Sequence, residues 1–144
     1  VYRIHEAPDI DKLQTFATFA QKLGYKLKID GTNVSRALNH LMESVEGKPE
    51  QNVIESLAVR TMAKARYATD PVGHFGLAFE HYSHFTSPIR RYPDMMAHRL
   101  LQHYLDGGQP ADRAAYETQC KHSSERERVA AEAERASIKY KQVE

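Results

Sequence analysis

The densest chemistry in the chain runs Tyr82-Ser83-His84-Phe85-Thr86-Ser87-Pro88-Ile89-Arg90-Arg91-Tyr92-Pro93-Asp94. Two prolines flank a pair of arginines. Each proline fixes its own φ and biases the residue before it toward extended backbone, so Arg90 and Arg91 stand on a stiff segment. Guanidinium groups grip phosphate oxygens in a bidentate fork. Tyr82, His84, Phe85 and Tyr92 offer rings on which bases stack, at ~1–3 kcal/mol per base. By residue type this is a site for phosphate and base. The same residues also fit a structural corner in which carboxylates hold a buried arginine pair, and the types alone leave both readings open.

Four other groupings carry less. His81 and His84 have a spacing seen in metal ligands, but on a strand they face opposite sides and lack the further donors of a tetrahedral zinc site. Cys120 and His122 resemble a nucleophile and its base, without a third group to orient them. Met95 and Met96 read as core. His98 and Arg99 follow the arginine corner on a helix and either support it or pair with Asp94 and its neighbours.

These residues need elements to position them. Val1 to His5 alternates apolar and polar, as a half-buried strand does. Its abrupt opening reads as an element cut from something longer. Asp9 caps a helix whose face carries Leu13, Phe16, Ala20 and Leu23, closed by Gly24. A second helix starts near Thr32 and carries Val34, Leu38, Leu41, Met42 and Val45. A third follows Pro49, with Val53, Ile54, Leu57, Ala58, Met62 and Ala65 as its stripe. Asp70-Pro71-Val72-Gly73 is a turn. From His74 to Phe85, apolar residues at odd positions and aromatic enrichment predict a strand. A helix opens at Tyr92-Pro93-Asp94 with Asp94 as its cap and Met95, Met96, Leu100, Leu101 and Tyr104 inward, ending at Gly107-Gly108. From Asp112 to Glu144 the chain has neither Gly nor Pro, which predicts one helix of ~50 Å. Its apolar face is thin, so it packs along a neighbour or leads to another domain.

Composition bounds the answer. The chain has 144 residues, 41% hydrophobic and 27% charged, enough for one domain or a large part of one. No apolar run approaches the ~20 residues of a membrane span, and no signal peptide opens the chain. The single cysteine, Cys120, excludes a disulfide framework and fits a reducing, cytoplasmic setting. Net charge is +1, but from Arg60 to Tyr104 six Lys and Arg stand against three acids, with five of the eight histidines. That basic middle fits an anionic partner or a solvated face.

His74-Phe75-Gly76-Leu77, the Tyr82–Asp94 segment and His98-Arg99-Leu100 together resemble the signature of the ribonuclease II / ribonuclease R family. They match the distal half of its RNB catalytic domain. Tyr2-Arg3-Ile4-His5-Glu6-Ala7-Pro8 resembles a second family segment, and Ser-Pro-Ile-Arg-Arg-Tyr-Pro-Asp is closer to the ribonuclease R form. The resemblance covers Val1 to Gly108 and, more weakly, the terminal helix. It implies an α+β, mainly α-helical fold, with residues 1–108 as the second half of the catalytic domain. Residues 109–144 would be a long helix leading to an OB-type RNA-binding domain. It implies a processive 3′→5′ exoribonuclease that degrades single-stranded RNA to nucleoside 5′-monophosphates with Mg²⁺. Arg90 would neutralise the scissile phosphate, Arg91 would contact the RNA backbone, and Glu134 would lie near the 3′-terminal nucleotide. The family's metal-binding aspartates and cold-shock-like domains fall upstream of Val1. Asp9, Asp11, Asp70 and Asp94 do not form a magnesium set, so the expectation is a fragment inactive by itself. The other expectation is a non-catalytic RNA-binding or scaffold module.

Overall fold

The computed structural model describes residues 1–29 and 34–143. Among these it is α+β and mainly helical, with five helices and one two-stranded sheet. The chain divides into two compact units.

One unit comprises residues 5–64 and 75–77. It is built from α1 (Ile10–Lys22), α2 (Val34–Val45) and α3 (Gln51–Thr61). Asp9 caps α1, its side chain accepting from the Asp11 and Lys12 amides. The expected start of α2 near Thr32 lies outside the described residues. The 3–4 spacing of apolar residues puts Leu13, Phe16 and Ala20 of α1, Leu38, Leu41 and Val45 of α2, and Ile54 and Ala58 of α3 into one core. Two expectations for α3 are corrected. Val53 is half exposed, because the buried stripe runs through Ile54, Ala58 and Thr61. The helix ends at Thr61, so Ala65 is not on its face: Met62 takes an extended conformation that stops the helical ladder.

The other unit comprises residues 1–4, 65–74 and 78–144. The expected opening strand is β1 (Tyr2–Ile4), paired antiparallel with β2 (Arg66–Ala68), Arg3 opposite Tyr67. Periodicity did not announce β2, because three residues are too few to show a period. The helices of this unit are α4 (Tyr92–Leu105) and α5 (Arg113–Lys141). Asp112 caps α5, accepting from the Ala114 and Ala115 amides. At 29 residues α5 is about 43 Å long, and its thin apolar face buries one residue, Cys120. Tyr67, Met96 and Cys120 form the core. Beside β2, Ser124 accepts from the Tyr67 amide at 2.9 Å, and Glu117 accepts from the Thr69 amide and hydroxyl at 2.9 and 2.7 Å. Side chains of α5 thus satisfy backbone donors that a two-stranded sheet would leave open.

The expected strand from His74 to Phe85 is not formed. His74 and Phe79 make a single bridge around a 3-10 turn at Phe75–Leu77, and Ala78 is left-handed at φ 56°. The chain then runs extended beside β1 with one backbone bond, the Arg3 amide donating to the Tyr82 carbonyl at 2.8 Å. The alternating aromatics do not mark a buried sheet face. They pack on one another, Phe79 stacked on Tyr82 at 5.8 Å and Tyr82 edge-on to His74 at 5.1 Å. On α4, Leu101 and Tyr104 are half exposed rather than inward, since Met96 alone of the five expected residues is fully buried. No helix among the described residues is long and apolar enough to cross a membrane.

Candidate nucleic-acid interface

The arginine corner is a turn held from both ends. The Arg90 and Arg91 amides donate to the Ser87 carbonyl at 3.3 and 3.1 Å. The helix opens at Tyr92 with Pro93 in its first turn and its N-cap is Arg91, three residues before the expected cap, so Asp94 is not the cap. It sits within the first turn, fully buried, and its Oδ2 accepts from the Ser87 amide at 2.8 Å and from the Arg91 guanidinium at 2.9 Å. Burial alone would push the Asp94 carboxyl up. The Ser87 amide and the Arg91 guanidinium outweigh it and hold the group below the usual aspartate value. The prolines and one buried carboxylate therefore fix the turn together. Downstream, His98 Nε2 donates to the Phe85 carbonyl at 2.7 Å and its ring stacks on Phe85 at 4.1 Å. His98 thus supports the segment and does not pair with Asp94.

The two arginines part company here. Arg91 takes the structural reading, three-quarters covered and paired with Asp94. Arg90 is exposed and its guanidinium has no partner among the described residues. Both line a cleft of about 890 Å³, with Tyr92, Pro93 and the ring of Tyr67. The facing wall is α5, through Thr118, His122, Ser123, Arg126 and Glu127.

The ring residues are dispersed. Tyr92 is half exposed in the cleft. Tyr82 and His84 do not line it: they pack edge to face with each other at 5.8 Å. His84 Nδ1 is hydrogen-bonded to the Tyr67 hydroxyl at 2.9 Å and so stands behind a ring that does line the cleft. Burial, then Arg91 and Arg3, push His84 below the ordinary histidine value, and burial raises Tyr67. Glu134 is exposed on α5 one turn beyond Ala130, outside the lining. Cys120 is fully buried and burial pushes its thiol up. No three His, Cys, Asp or Glu side chains gather as a metal site among the described residues.

Sequence reasoning missed Tyr67 and the α5 wall. A signal for the wall was present: Thr118, His122, Arg126 and Ala130 recur every four residues, one stripe of a helix. Tyr67 had none, because a single aromatic in a three-residue strand has no period.

A two-stranded sheet packs against a long helix, and an arginine turn opens α4. Residues 1–107 match the RNB domain family, and the chain belongs to that family. Its relatives are ribonucleases R. The chain is 44% identical to ribonuclease R of Aquifex aeolicus over 97% of its own length, and 43% identical to ribonuclease R 1 of Lactococcus lactis over all of it. It spans about a fifth of the length of these curated relatives, 20% and 18%. Among solved structures it resembles Mycoplasma genitalium RNase R in complex with ribose-methylated single-stranded RNA, at TM-score 0.83 and 30% identity. That match covers 96% of this chain and 23% of the other. It also resembles yeast Ssd1, described as a pseudonuclease, at TM-score 0.72 and 29% identity, covering 85% of this chain and 16% of the other.

Proposed function

We propose that the chain is part of the catalytic domain of a magnesium-dependent, processive 3′→5′ exoribonuclease. The parent degrades single-stranded RNA to nucleoside 5′-monophosphates in the cytoplasm. The observation that carries the reading is the unpaired guanidinium of Arg90, presented to a cleft from a turn that Asp94 and two prolines hold rigid. A preorganised cation aimed at a phosphoryl group stabilises charge as it develops and costs no reorganisation at the moment of reaction. In this reading residues 1–108 are the distal half of the domain and residues 109–144 lead toward an OB-type domain. Tyr92 meets a base. Arg91, Tyr82 and His84 act on RNA through the shape of the corner, and Glu134 lies toward the 3′ end. The described residues do not fit a magnesium site, since no donor set converges. The reading assigns the metal ligands to the upstream half of the domain.

The test is Arg90→Ala in the parent protein. Turnover on a 5′-labelled single-stranded RNA falls by about a thousandfold while RNA affinity falls only about tenfold, the signature of an interaction that strengthens in the transition state. Equal losses in both would make Arg90 a plain binding residue. A second reading, a non-catalytic RNA-binding module, is favoured by the likeness to a pseudonuclease, because one fold hosts both active and inactive sites. A parent that binds the RNA but never shortens it, with magnesium present, would establish that second reading.

A further inference from the structure

The charges lining the cleft are unevenly committed. They come from three arginines, Arg90, Arg91 and Arg126, and one acid, Glu127, with His122 beside them. Arg91 is bound to the fully buried Asp94. To reach a ligand it would have to abandon a carboxylate that has no water to replace it. Its Nε is itself buried and unpartnered, so this arginine is seated inward. Glu127 is bound to Arg3 at 2.6 Å, and the Arg3 guanidinium also lies over the Tyr67 ring at 4.5 Å. Both pairs are internally neutral. Arg90 and Arg126 remain, exposed and without side-chain ion pairs among the described residues, one on the turn and one on α5.

We infer that Arg126, not Arg91, is the second phosphate-gripping cation of this cleft, and that Arg90 and Arg126 hold an RNA backbone from its two walls. The inference rests on the RNA reading above and names the residues that carry its electrostatics. The Arg3–Glu127 pair complements it: Arg3 cancels the one acid in the lining, which would otherwise repel the polyanion. Because phosphate contacts carry no sequence information, the Arg126 contribution is the same for every base.

The test is fluorescence anisotropy of the chain with labelled oligo-U and oligo-A at several salt concentrations. Arg126→Gln and Arg90→Gln each lower affinity about tenfold on both oligomers and reduce the slope of log K against log salt by about 0.7, the value for one single-strand phosphate contact. Arg91→Gln leaves the slope unchanged. In case that variant misfolds with Asp94 unpaired, the double variant Arg91→Gln/Asp94→Asn removes both charges and also leaves the slope unchanged, with circular dichroism confirming helix content. An unchanged slope in Arg126→Gln, or a reduced slope in the double variant, overturns the inference alone. No salt-dependent binding by the unmodified chain overturns the RNA reading and this inference with it.

Discussion

Asp94 decides which arginine of the Arg90-Arg91 pair is free. Its carboxylate selects Arg91 three residues before it, closes the Ser87 turn, and leaves Arg90 facing the cleft. Asp94→Ala strips the partner from Arg91 and the acceptor from the Ser87 amide. The expected loss is about 3 kcal/mol, near the lower end for breaking a buried pair because Arg91 keeps some water; urea unfolding measures it. The sign of the pH dependence follows from the shift. Asp94 sits below the ordinary aspartate value when folded, so its contribution is complete above that ordinary value and is lost as pH falls through the lower folded one. Acid unfolding of the native chain therefore steepens in that range, and Asp94→Asn flattens it. The arginine corner was legible as a site from its residue types. Which arginine was structural was not, because that depends on a carboxylate the pattern had marked as a helix cap.

At the scale of elements, α5 does two jobs from two stripes. One carries Glu117, Cys120 and Ser124 against β2; the other carries Thr118, His122 and Arg126 into the cleft. Glu117→Gln weakens the first without touching the second. Thr69 holds the Glu117 carboxyl below its ordinary value, and the substitution should cost ~1–2 kcal/mol, toward the lower end for a hydrogen bond to a charged group because Gln keeps an acceptor oxygen, read from thermal unfolding. Asp112→Ala removes the α5 cap at about 1 kcal/mol. In the three-helix unit Ile54 is fully buried, and Ile54→Ala should cost ~2–5 kcal/mol. The helices were legible because apolar stripes and caps repeat along the chain. The strand expected from His74 to Phe85 was not formed because aromatic residues satisfy each other by ring packing as readily as they fill a sheet face.

On the scale of the whole molecule, the chain covers a fifth of its relatives and brings cations and rings to a cleft without a carboxylate set. Magnesium-assisted hydrolysis needs such a set to hold the ion. The expected outcome for this chain alone is RNA bound but not shortened when a 5′-labelled strand is incubated with magnesium. Stepwise 3′→5′ shortening, lost in Arg90→Ala, would mean that carboxylates within these residues form a catalytic site.

The sequence by itself determined most of the helix stripes, the cap at Asp9, the long terminal helix, the opening strand and the Tyr82–Asp94 signature that marks the family. All of these are local: they depend on residues a few positions apart, where period and side-chain type are visible. Tertiary structure alone decided the commitments of charge. Asp94 with Arg91, Arg3 with Glu127, and His84 behind Tyr67 are pairings between residues whose distance along the chain, from three to over a hundred positions, says nothing about which will meet. An ionic partner is chosen by burial and geometry, and those exist only after the chain has folded.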